Sequence, residues 1–318
     1  MHGFYLTKLI KTTKLFSGFA AFYQVSQFAA YLKLSIKTTN KFSGFAEKDQ
    51  VGMDLRSFFT RHPVFTSSEF TEYLKKEEKR NDSTRNNLLA YHVNKGHLLR
   101  VKRGLYAVVS TGMSPENFPV DPYLLASKMA DDAILAYHTA LDIHAKGYSV
   151  YNRFLFLTER AVRAVPFRNY SFKAVRPPKP LLKKGKSEFG VKSMERSGLE
   201  IKVTGLERTL VDLLDKPELG GGWEEIWRSL ESVEFYDVDK VVEYTMLLNK
   251  ATTVAKVGFF LENNKKRFFV NGEHLQRLKK KIPKKPHYMD KNLKGRLSYN
   301  WNLIVPETVL EKSWGEVL

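Results

Sequence analysis

An α+β fold is what the sequence predicts: an N-terminal winged helix-turn-helix domain over residues 53–112, then a larger mixed α/β domain over residues 113–318. Three observations lead there. Between residues 53 and 112, three helical patterns are followed by two short runs of period two around a basic turn. Beyond residue 113, helical and strand-like segments alternate. The third is charge: residues 1–52 carry seven Lys/Arg against two acids, residues 53–112 eleven against six, and the remainder 34 against 26, for a net of +18.

A field of that sign attracts polyanions, whether nucleic acid, an acidic membrane surface or an acidic partner. With 43% apolar and 13% aromatic residues, the chain can bury two cores without covalent staples. It holds no cysteine. Disulfides, thiolate zinc sites, iron–sulfur clusters and cysteine nucleophiles are therefore excluded, in keeping with a reducing cytoplasm.

Residues 1–52 read as a repeat-containing extension outside the fold. Ile10–Ala20 recurs as Ile36–Ala46 at an offset of 26, with nine of eleven positions identical. Two near-identical copies are too few to stack as a solenoid, and point instead to a recent nucleotide duplication. Met53 is the alternative start. Leu15–Leu32 is uncharged over 18 residues, but Gln24, Ser26 and Gln27 interrupt it, so no membrane segment is expected.

Leu55, Phe58 and Phe59 recur at helical spacing up to His62-Pro63, where proline ends the helix. Thr66 with Glu69 forms a capping box that opens a second helix carrying Phe70, Tyr73 and Leu74. A third helix, Thr84–Lys95, starts after Asn81-Asp82-Ser83 and stops at Gly96, a left-handed cap. Then Leu98, Leu99 and Val101 read as a strand, Lys102-Arg103-Gly104 as a tight turn, and Leu105–Val109 as the return strand.

That order puts the third helix in the position of a recognition helix. Leu89, Ala90 and Val93 form its inner side; Thr84, Asn87, Tyr91 and Lys95 line the opposite one, with Ser83 at the start. Arg85, in the first turn, suits a bidentate pair with guanine or a phosphate clamp. Leu88 falls toward the polar side, to touch a thymine methyl or bury at the domain edge. Lys102 and Arg103 at the hairpin tip are expected on backbone or minor groove, setting affinity rather than sequence choice. The competing reading is a plain amphipathic surface helix beside a solvated turn.

In the larger domain, residues 114–120 read as a linker and Pro122–His144 as one long helix. Strands follow at Arg153–Leu157, Tyr170–Val175 and Glu200–Val203, with a basic loop at Arg176–Lys186. Helices are expected at Leu206–Leu214, near Trp223, at Val238–Asn249 and at Val254–Glu262, before a basic tail, Arg277–Arg296. Little in it carries chemistry. His138 and His144 are six apart, which does not align them for a metal, and Gly220-Gly221-Gly222 lacks the Lys-Ser/Thr of a phosphate loop. No metal or cofactor is expected. Arg208 and Asp212, at i and i+4, read as a structural ion pair. Glu200-Ile201-Lys202 resembles half of a metal-dependent nuclease site, but alternating charges around an inward Ile201 explain it as well.

Several short runs in order resemble the AbiEi antitoxins, regulators of two-gene abortive-infection, or type IV toxin–antitoxin, systems. They are Val64-Phe65-Thr66, Gly96 through Leu105-Tyr106, Ala136–Leu141, Thr204–Asp212 and Trp301–Pro306. The resemblance implies a winged helix that binds inverted repeats of double-stranded DNA in its own promoter. It also implies a larger domain that counteracts a nucleotidyltransferase-like toxin without a stable complex. A stand-alone regulator, a winged-helix-targeted nuclease and a module gripping an acidic protein are the alternatives; the oligomeric state stays open.

Overall fold

The computed structural model describes residues 55–77 and 82–314. The extension 1–52, its repeat and Met53 lie outside the described residues. Among those described, no helix is long and apolar enough to cross a membrane.

The first unit is built from α1 (Leu55–Arg61), β1 (Val64–Thr66), α2 (Ser67–Glu77), α3 (Asp82–Asn94), β2 (Leu98–Lys102) and β3 (Leu105–Val108). The box at α2 forms as the sequence predicts: Glu69 Oε2 accepts from the Thr66 amide at 2.7 Å, and Thr66 Oγ1 accepts from the Glu69 amide at 3.3 Å. Gly96, at φ +75°, closes α3 in the left-handed region. Gly104, at φ +79°, with Arg103 makes the two-residue turn between paired Lys102 and Leu105. β1 was not legible as a strand; it pairs antiparallel with β3, giving the order β1-β3-β2.

Period two divides this small sheet between two cores. Phe65, Leu98 and Tyr106 face α1–α3 and join Phe58, Phe59, Phe70, Leu74 and Leu89 in an aromatic-rich cluster. Phe58 lies 5.1 Å edge-on from Phe65, a geometry ring quadrupoles favour. Val64, Val101, Leu105 and Ala107 face the other way, into a cluster with Leu124, Leu125, Met129, Phe154 and Phe172. The predicted linker is also engaged: Val120 is buried, and the carbonyls of Pro115 and Phe118 accept from Arg168.

The predicted helix over 122–144 is corrected. It is α4 (Pro122–Ser127), β4 (Ile134–Leu135) and α5 (His138–Ile143). Asp121 caps α4 by accepting from the Tyr123 amide at 2.9 Å. β4 then enters the middle of a six-stranded sheet of order β6-β7-β5-β4-β9-β8, with β5 Arg153–Leu157, β6 Val165–Phe167, β7 Tyr170–Val175, β8 Val191–Arg196 and β9 Leu199–Thr204. Phe154 and Phe156 point to the cluster shared with the small sheet; Leu155 and Leu157 point to the opposite, larger core.

That larger core is closed by α6 (Lys179–Lys183), α7 (Leu206–Asp215), α8 (Trp223–Glu231), α9 (Val238–Leu248), α10 (Ala251–Asn263) and α11 (Gly272–Lys279). The predicted basic tail is ordered structure: α11 continues into a small sheet of β10 (His287–Tyr288), β11 (Gly295–Ser298) and β12 (Leu303–Pro306), then α12 (Glu307–Glu311). The architecture is a mixed α/β one with twelve α-helices and three sheets among the described residues.

Trp301, fully buried, lies against Gly258 in α10, where a Cβ would overlap the indole. Gly258→Ala is therefore expected to cost about 1–3 kcal/mol by overpacking, read as a lower urea midpoint. An unchanged midpoint would mean that the indole yields freely.

Candidate nucleic-acid interface

The exposed surface of α3 is decided by what the aromatic core takes from it. Leu89 and His92 are buried, and Leu88 and Val93 pack partly against the same cluster. The His92 ring meets Phe59 edge-on at 5.2 Å, and its Nδ1 lies 3.2 Å from His97 Nδ1. What remains outside is Ser83, Asn86, Asn87, Ala90, Tyr91, Asn94 and Lys95. At 3.6 residues per turn, Ser83, Asn87, Ala90 and Asn94 fall in one stripe, flanked by Asn86 on one side and Tyr91 with Lys95 on the other. The Lys95 ammonium sits 5.8 Å from the Tyr91 ring centroid.

The helix is thus turned by less than one residue step from the sequence reading. Ala90, expected inside, is exposed, whereas His92 replaces it in the core. Leu88 buries at the unit's edge, one of its two expected fates. Thr84 is half-buried. Arg85 is half-buried too: its Nη1 donates to Thr71 Oγ1 on α2 at 3.1 Å, and its Nε and Nη2 donate to Asn86 Oδ1 at 3.2 and 3.0 Å. The guanidinium expected on a base edge therefore ties α3 to α2. Asn86 and Asn94 are exposed interface candidates that the wheel did not single out; their spacing from Asn87 was the available signal.

At the hairpin, Arg103 and Arg100 are exposed. Lys102 is not at the tip's outer surface. Its Nζ donates to the Met129 carbonyl at 2.9 Å, and burial, opposed by the Asp131 carboxylate, lowers its pKa from the ordinary lysine value. Lys128 meets Glu69 across the same seam. Lys102 thus joins the two units rather than extending the hairpin's positive edge.

The other sequence candidates fall elsewhere. Glu200 and Lys202 lie on the exposed side of β9, where Glu200 Oε1 accepts from Ser193 Oγ at 2.6 Å and Lys202 meets Glu188; Ile201 between them is buried. Among the described residues, no group of three or more His, Cys, Asp or Glu is arranged to hold a metal ion. His138 sits between two carboxylates, with Nδ1 3.1 Å from Asp142 and Nε2 3.0 Å from Glu225, while His144 Nε2 lies 2.9 Å from the Thr204 carbonyl. Arg208 and Asp212 form the expected pair, 3.3 Å apart and buried. Two carbonyls, of Ser187 and Phe189, also accept from Arg208, and Tyr244 Oη donates to Asp212 at 2.7 Å.

Residues 53–109, from the start of α1 through β3, match the family described as transcriptional regulator, AbiEi antitoxin. The match is to this segment alone. The AbiEi segment contains α3, the hairpin and the whole aromatic core. The chain as a whole is similar in fold to the RV2827C protein from Mycobacterium tuberculosis, known from its crystal structure: TM-score 0.52 and 18% identity, covering 80% of this chain and 91% of that one. That span extends well beyond the AbiEi segment, so the larger unit shares in the likeness. Curated protein sequences give no match.

Proposed function

We propose that this chain is a cytoplasmic double-stranded-DNA-binding regulator of the winged helix-turn-helix type. In this reading it is an AbiEi antitoxin that represses its own operon at promoter inverted repeats. The polar stripe Ser83-Asn87-Ala90-Asn94, standing out of an otherwise aromatic-packed unit beside an Arg103-tipped hairpin, carries the reading. Asparagine amides can pair bidentately with adenine edges, small Ala90 lets the helix approach closely, and Lys95 and Arg103 suit phosphates. The order of elements, with the third helix followed by a basic hairpin, is that of winged-helix DNA readers.

The larger unit, by family likeness, counteracts a nucleotidyltransferase-like toxin without forming a stable complex, and it carries no catalysis of its own. Plasmid DNA with magnesium or manganese is expected to stay intact, because Glu200 and Lys202 already serve cross-strand and neighbouring partners on an exposed strand. Cleavage lost in Glu200→Ala would establish the nuclease instead.

The deciding experiment is footprinting and titration on the promoter upstream of the chain's own reading frame. Nanomolar-range protection of an inverted repeat, weakening steeply with salt, is expected. Arg103→Ala should weaken specific and random duplexes alike and flatten the salt slope by about one. Equal affinity for promoter and random duplex in the wild type would refute the proposal. Co-expression with the toxin gene tests the antitoxin part: growth is rescued without the two proteins co-purifying.

A further inference from the structure

The two most exposed aromatic rings of the described structure are Tyr299, 82% accessible, and Phe269, 81% accessible. Both belong to the larger unit, and neither is used by the proposed regulator surface. Large aromatic side chains left this open are uncommon unless something covers them. Phe269 is also held at φ +55°, a backbone region costly for a bulky residue.

Contacts within the fold bring the two rings to the same end of α10. Glu262, in the last turn of that helix, accepts from Trp301 Nε1 at 2.7 Å and from Asn300 Nδ2 at 3.3 Å, which fixes the Tyr299–Trp301 turn beside it. The chain leaves α10 through Lys265, whose amide donates to the Glu262 carbonyl at 3.3 Å and whose carbonyl accepts from Val270 at 3.0 Å. Between those two bonds the backbone presents Lys265, Lys266 and Arg267, all exposed, and then Phe269. Lys279, at the end of α11, lies 5.7 Å from the Trp301 ring. Among the described residues, neither Lys265 nor Lys266 meets an acid. Exposed lysines and two open aromatic rings at the same end of α10 have a definite complement: flat bases joined by phosphates.

We infer that this end of the molecule binds single-stranded nucleic acid, with bases stacking on Phe269 and Tyr299 and phosphates held by Lys265 and Lys266. Stacking is sequence-tolerant because every base has a π-face, and lysines act on phosphate as point charges. A duplex keeps its bases stacked on one another and offers no free face to these rings, which sets this surface apart from α3. Position separates them as well. Phe268, Val270 and Trp301 belong to the core on one side of the six-stranded sheet, whereas the AbiEi segment packs through the core on the other. An acidic protein would be drawn by the same charges but gives no reason for two isolated rings on separate turns.

Fluorescence anisotropy of the full chain with labelled dT12 and rU12 tests this. Binding that falls with salt is expected, with Phe269→Ala and Tyr299→Ala each weakening it about 5- to 100-fold. Lys265→Glu with Lys266→Glu should weaken it further and flatten the salt slope. Promoter-duplex affinity should be unchanged in all of these variants, so failure of the regulator reading and failure of this one remain distinguishable. Phe269→Leu keeps apolar bulk without the aromatic face, and is expected to behave like the alanine variant. Loss in the charge variant with no loss in either aromatic variant would overturn the inference, as would equal affinity for a labelled duplex of the same length through these residues. Displacement of the strands by a glutamate 12-mer that binds more tightly would assign the surface to an acidic protein and overturn it too.

Discussion

Replacing Glu225 by leucine is expected to destabilise the fold by about 3–5 kcal/mol, the range for removing one partner of a buried ionic group. The carboxylate is buried, and one oxygen, Oε1, accepts from four donors: His138 Nε2 at 3.0 Å, the Tyr148 amide at 2.9 Å, the Ser149 amide at 3.0 Å and Ser229 Oγ at 3.1 Å. It therefore ties α5, the loop after it and α8 together. Leucine matches the side chain in size but offers no acceptor, so the Ser149 amide and His138 Nε2 lose their partner at once, while the Tyr148 amide keeps only Ser229 Oγ. Glu225→Gln keeps an acceptor oxygen and should lose less. Equal urea midpoints for Glu225→Leu and wild type would show that the loop 145–149 rearranges without cost.

The same cluster sets a pH dependence. His138 presents both ring nitrogens to carboxylates, which can only accept, so the ring must donate from both and be an imidazolium. Burial alone would push its pKa down, but hydrogen bonds and charge from Asp142 and Glu225 overcome this and raise it to about 9. A base whose folded pKa is raised stabilises fully below its unfolded value near 6.5, and that stability is lost as pH climbs through about 9. Glu225 acts at the other end. Burial pushes it up, yet hydrogen bonds from His138 and Ser149 bring it below the usual glutamate value, so its contribution fades in acid. The wild-type midpoint should therefore fall between pH 6.5 and 9 more steeply than that of His138→Gln. Parallel curves would remove His138 from the account.

Local chemistry was legible in the sequence wherever it is self-contained. Thr66 and Glu69 cap a helix with groups three residues apart, Gly96 ends α3, and Arg208 with Asp212 needs only one helical turn. Where the deciding partner is distant in sequence, local pattern misleads. Leu124, Leu125 and Met129 have true helical spacing, but the next residues supply β4, a two-residue strand whose neighbours, β5 and β9, lie up to about seventy residues away. Two residues have no period to detect. Lys102 looked like a tip residue because its partner, the Met129 carbonyl, lies in the other unit. His92 has no apolar signature in the sequence, yet Phe59 and His97 bury it, and this one residue turns the outer face of α3 toward Asn94.

That rotation places Asn87 and Asn94 together on the outer face of α3. If Asn87 and Asn94 each make one base contact worth about 1–3 kcal/mol, the double variant Asn87→Ala/Asn94→Ala should lose about 2–6 kcal/mol of promoter affinity, provided the two contacts add. Asn87 and Asn94 are seven residues apart, two helical turns, so they address different base pairs and have no shared partner to couple them. Random duplex should bind the double variant almost as well as it binds wild type, because neither amide carries charge. Arg85→Ala is expected to behave differently from both. Its guanidinium is already bonded to Thr71 and Asn86, so its loss loosens α3 against α2 and lowers thermal stability along with affinity. Promoter titrations of the two variants beside their melting curves separate these outcomes. A stable Arg85→Ala protein that alone loses sequence preference would return base reading to the inner edge of the helix and take it from the asparagine stripe.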